Sequence, residues 1–198
     1  MKNHPSASAP ASATIRSSPP PAPEGLRLEQ QVQELRHNLE RMTAAFDGVD
    51  PAAWTLPLPE PWPARIAEVW APGPARLIDV LAYVRHQEAY VFGRRVMRML
   101  QEDRPSLEYL DFDMIAAYAD PAAERPGLHL AEWIKNRLTW LGLMKEAGAF
   151  GEIREGDLPP EEGGARIRVQ DIPAMALRRD AAVIPLVRDI RHGLGPTR

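Results

Sequence analysis

The chain has 198 residues, with 24 Lys and Arg against 27 Asp and Glu and a formal net charge of −3. That length fits one domain, the charge argues against binding nucleic acid by bulk electrostatics, and the absence of cysteine excludes disulfides, thiolate nucleophiles and Cys-ligated metals. No apolar run approaches the ~20 residues of a membrane span, and no apolar stretch follows Lys2 to act as a secretory signal, so the expectation is a cytoplasmic protein with neither membrane nor nucleic acid as partner.

Residues 1–24 are almost entirely Ser, Ala and Pro, ending in Pro19-Pro20-Pro21-Ala22-Pro23. They have little to bury against the entropy of ordering them, so a disordered tail is predicted, with the bundle domain occupying 25–198. From Leu26 the pattern changes. Leu28, Val32, Leu35, Leu39, Met42 and Phe46 recur at steps of three and four, which predicts an amphipathic helix ending near Gly48. Residues 49–74 are rich in Pro and carry Trp54, Trp62 and Trp70. Helix is blocked there by lost backbone donors, and large aromatics favour a loop packed on the body.

A second helix is predicted over Ala75–Gln101, its apolar surface wide enough for a largely covered element. The connection over 103–127 holds one short helix around Asp113–Ala117. A third helix spans Leu130–Ala147 with Gly148 as its C-cap. After an acidic stretch comes a strand-like Arg166-Ile167-Arg168-Val169, too short to build a sheet alone. The last helix starts at Asp171 as N-cap, with Pro173 in its first turn, and runs to His192. Pro185 inside it is expected to kink it. Four long amphipathic helices with no alternation of strand and helix predict an all-α, antiparallel four-helix bundle.

Common catalytic strings are absent, including phosphate-cradling glycine loops, His-Glu-x-x-His and Gly-x-Ser-x-Gly. Glu34-Leu35-Arg36-His37 is a lone Glu-x-x-His, and Leu35 belongs to the buried stripe, so His37 reads as a surface residue. Tyr83, His86, Tyr90 and Met97 share a strip of the second helix. A histidine there could act as a ligand or a base, or simply as a hydrogen-bonded rim residue. Glu88 lies in an apolar run and needs a cationic partner, for which Arg137 or Arg179 is the natural choice. Trp133, Arg137 and Trp140 on adjoining turns are also compatible with an arginine that holds a small anion. The candidate pocket is therefore Tyr83, His86, Glu88, Arg137 and Arg179. The arginines of the last helix, interleaved with Asp180 and Asp189, read as a solvated, internally paired face.

Three segments together resemble the DinB-like superfamily of bacterial four-helix bundles. They are Asp79-Val80-Leu81-Ala82-Tyr83 through Glu88 to Arg94-Arg95, then Met99 to Pro105, then Ala176 to Arg191. The resemblance implies one divalent metal held by three histidines, used for thiol transfer, hydrolysis or isomerisation. Position by position, however, Tyr83, Arg179 and Val183 stand where those histidines are expected, and His86 is three residues out of register. Arginine brings a fixed positive charge and valine has no lone pair, whereas such metals take neutral imidazoles. The expectation is a degenerate site with no cofactor, in a non-catalytic binding or structural protein that forms a homodimer. The alternative is a metal-dependent thiol transferase or hydrolase with a displaced site built on His86 with Asp79 or Glu88.

Overall fold

The computed structural model describes residues 27–58, 76–109 and 120–193. The tail over 1–24, Trp62, Trp70 and the short helix expected around Asp113–Ala117 lie outside them. Helix α1 (Leu28–Phe46) buries Leu35, Met42 and Phe46 from its apolar stripe. Gln30 starts the helix by accepting a 2.9 Å hydrogen bond from the Arg27 backbone N–H, which satisfies one donor left over at a helix start. Trp54 follows in a short turn, buried and stacked on Phe46 with ring centroids 5.7 Å apart.

The second rod is three segments in line: α2 (Leu77–His86), a π-helical stretch (Gln87–Gly93) and α3 (Arg94–Gln101). Asp79 fixes its start by accepting from the Arg76 backbone N–H at 2.9 Å while gripping the same residue's guanidinium. Helix α4 (Pro126–Glu152) is longer than its apolar stripe predicts. Gly148 breaks it, as expected of a capping glycine, because the backbone leaves helical geometry there. The glycine adopts φ 56°, a left-handed value open to a residue without Cβ, and one more turn follows to Glu152. Helix α5 (Ile172–Gly193) runs through Pro185, whose exposed position lets water take the carbonyl it leaves unbonded. Asp171 stands immediately before it, and its side chain closes the preceding 3-10 turn by accepting from the Arg168 backbone N–H at 2.7 Å.

The segment expected to be too short for a sheet does pair. Strands β1 (Glu155–Asp157) and β2 (Arg166–Arg168) form a small antiparallel ladder, with Glu155 opposite Arg168 and Asp157 opposite Arg166. Opposite charges across the ladder compensate for its length.

The core has two layers. The upper one joins Met42, Phe46 and Trp54 to Leu77–Val84, Trp133 and Val183–Ile190. The lower one joins Leu35 to Phe92–Met99, Trp140–Met144 and Ile172–Leu177. Following each helix from layer to layer gives its direction. Helices α1 and α5 climb from the lower layer to the upper, and the second rod and α4 descend. The antiparallel relation therefore holds between α1 and the second rod and between α4 and α5. The second rod and α4 run the same way, so the connection between them must return from the lower layer to the upper. That requirement explains a linker much longer than a helical hairpin needs. No helix among the described residues is long and apolar enough to cross a membrane.

Candidate functional site

Between the two apolar layers every helix places a polar residue at the same height. Asn38 comes from α1, Glu88 from the π-helical stretch, Arg137 from α4, and Arg179 with Asp180 from α5. Each follows from helical spacing: Asn38 lies between Leu35 and Met42, Glu88 between Val84 and Phe92, and Arg137 between Trp133 and Trp140. Glu88, Arg137 and Asp180 are fully buried, and Arg179 is 8% exposed. Two carboxylates face two guanidiniums, and the layer is neutral.

Arg137 is the centre. Its Nε and Nη2 donate to Glu88 at 2.8 and 2.9 Å, and Nη1 and Nη2 donate to Asp180 at 2.6 and 3.0 Å. A 3.5 Å contact from Nη1 to the Leu35 carbonyl uses the remaining hydrogen. Arg179 donates to Glu88 at 2.6 Å, to Asp180 at 3.0 Å and to the Val84 carbonyl at 3.2 Å. Glu88 also accepts from both indoles, Trp133 at 3.2 Å and Trp140 at 2.7 Å. Asn38 donates to Asp180 at 3.2 Å and itself accepts from Arg41 at 3.2 Å, which ties the layer to the surface. Burying charges costs several kcal/mol per ion unless each is paired and its other polar atoms are satisfied. Here both conditions hold. Burial alone would raise the Glu88 carboxyl, but Arg137 and then Arg179 outweigh it and hold the group down at about 2. The same carboxylates overcome burial at Arg137 and raise it above the ordinary arginine value.

Of the five candidate pocket residues the structure brings three together: Glu88, Arg137 and Arg179. Glu88 takes both arginines named for it, not one of them. Tyr83 is half-buried and its hydroxyl accepts from Gln87 at 2.9 Å. His86 points elsewhere. Its ring lies 6.0 Å from that of Tyr90, and burial, with Arg85 adding to it, pushes the imidazole down to about 4. Val183 is fully buried in the upper apolar layer. His37 is exposed, 3.7 Å from Glu40. The solvated face expected of the last helix is correct for Arg188, which is exposed, but not for Arg179 and Asp180. Sequence reasoning missed the roles of Asp180 and Asn38. Their positions inside otherwise apolar faces were the available signal.

Beside the layer, an open groove of about 510 Å³ runs between the π-helical stretch and α4, lined by Ala89, Tyr90, Gly93, Met97, Asn136 and Leu143 among others. Among the described residues no cluster of three or more His, Asp or Glu side chains converges as a metal site.

No family model matches the chain, and no curated protein matches it either. Among solved structures the chain is similar to YfiT from Bacillus subtilis, described as a probable metal-dependent hydrolase with an unusual four-helix bundle topology. The TM-score is 0.69 at 14% identity, covering 88% of this chain and 93% of that one. The fold is shared. Up, down, down, up is the helix order of this chain, and the likeness extends over nearly all of it.

Proposed function

We propose that this is a DinB-like bundle whose metal site has degenerated, and that it serves as a non-catalytic binding or structural protein. Arg179 carries the reading. It occupies a position where the resemblance expects a histidine ligand, and its guanidinium instead donates into Glu88 and Asp180. A divalent cation placed there would meet a fixed positive charge. Val183, at another expected ligand position, lies in the apolar core. The residues present do not fit a metal, so no step is assigned to one.

An anionic ligand at Arg137 or Arg179 would have to displace Glu88 or Asp180, so the reading places none in the layer. A homodimer belongs to the same proposal. The stripe of α1 and Trp54 pack inside the chain, and what supports a contact through the second rod is its exposed pair Tyr90 and Met97, two of several exposed large apolar side chains among the described residues. The fold shared with YfiT favours one other reading, a metal-dependent hydrolase or thiol transferase with a displaced site. That reading needs His86 with Asp79 or Glu88, and arginines hold both carboxylates.

Thermal melting separates the two. A metal bound at a hundred times its dissociation constant stabilises a fold by about 2.7 kcal/mol, so a displaced site would reveal itself. The expected result is one melting midpoint with chelator, zinc or nickel. A midpoint that rises with either metal and falls with chelator would overturn the non-catalytic reading.

A further inference from the structure

His129, in the first turns of α4, is buried to 2% exposure and takes no part in the ionic layer. Its Nδ1 lies 2.9 Å from Arg85 Nη1, and its Nε2 lies 3.0 Å from the Pro121 carbonyl oxygen. A guanidinium can only donate and a carbonyl can only accept. Nδ1 must therefore present its lone pair, and Nε2 must carry the hydrogen. The closed arrangement has no place for a second hydrogen, because one on Nδ1 would point at an Arg85 N–H.

The charged surroundings offer an alternative once that hydrogen arrives. On α2, Arg85 pairs with Glu124 and, at 2.5 Å, with Glu132 of α4, while the half-buried His86 stands next to it. Glu124 Oε2 lies 3.7 Å from His129 Nε2, within reach of a protonated ring. Arg76 and Asp120, 2.8 Å apart, tie the same turn from its other end. Arg85 thus keeps two carboxylates when it lets His129 go, and a charged His129 gains one. Between these ties lies the turn Pro121–Ala123, whose Ala122 packs on the upper core layer.

We propose that His129 is a pH-sensitive latch: neutral, it clamps the Pro121–Ala123 turn between α2 and α4, and on protonation it releases that turn. The open form accepts one proton that the closed form excludes, so acid favours opening. The opening equilibrium then rises on acidification by at most about tenfold per pH unit, the limit for a single proton.

Nitrogen NMR of His129 and amide exchange at Ala122–Glu124, both on the full chain, test the latch. His129→Gln supplies one N–H for Pro121 and one oxygen for Arg85 but takes no proton. The expected wild-type result is the Nε2–H tautomer at pH 7.5. Exchange at the turn, corrected for its intrinsic pH dependence, should then rise severalfold from pH 6.5 to 5.5, by no more than the roughly tenfold limit for one proton, with Ile78–Leu81 unchanged. In His129→Gln the corrected exchange should be flat. An Nδ1–H tautomer at pH 7.5, or wild-type exchange that does not rise, would overturn the latch. Both of those readouts use the wild-type chain and stand even if the variant fails to fold.

Discussion

Arg137→Met should lower the unfolding free energy by about 3–5 kcal/mol, the scale for breaking a buried ion pair from one side. Methionine fills the volume but leaves Glu88 and Asp180, both fully buried, to share Arg179 alone. The layer then carries one uncompensated negative charge between two apolar strata. A domain of this size has only about 5–15 kcal/mol to lose, so the variant would sit near the edge of folding. The partner experiment is Arg137→Met with Glu88→Leu, which restores neutrality and keeps Arg179 against Asp180. Urea unfolding of the double variant should show less loss than the sum of the two singles, because neighbours in one network do not add. An Arg137→Met midpoint equal to wild type would mean that the guanidinium is not paired in the core.

Acid should weaken the fold through Glu88. Its carboxyl lies near 4.5 when unfolded and is held at about 2 in the folded chain by Arg137 and Arg179 against the opposing effect of burial. A folded value below the unfolded one makes the ionised form stabilising. That contribution is complete above about pH 5 and is lost as pH falls from there through about 2. A shift of that size is worth roughly 3 kcal/mol. Comparison with Glu88→Gln isolates it from the other carboxylates. The stability gap between wild type and variant should be widest above pH 5 and should close progressively toward pH 2. A gap constant with pH would show that the Glu88 charge contributes nothing.

Much of this architecture was legible from the residues because helix spacing is a strong signal. The stripe from Leu28 to Phe46 set α1, and Glu88 in an apolar run demanded an arginine from another helix. What spacing could not supply was height along the bundle. Asp180 and Arg179 look like part of the mixed-charge run that continues to Asp189. Only the alignment of α5 with the other three helices puts them opposite Glu88 and Arg137. The π-helical stretch over Gln87–Gly93 was equally hidden, since it depends on tertiary partners rather than on residue type. The parallel run of the second rod and α4 was hidden for a related reason: apolar stripes read the same whether neighbouring helices run parallel or antiparallel. The β1–β2 ladder escaped because three residues give too short a period to detect, although the alternating charges of Arg166 and Arg168 face Asp157 and Glu155.

The proposal of a degenerate metal site rests on Arg179, whose guanidinium is held by Glu88 and Asp180. Elemental analysis of the full chain, purified without a metal-binding tag and dialysed, addresses it most directly. The account predicts zinc, nickel, iron and manganese all far below one atom per chain. About one atom of any of them retained per chain would contradict it.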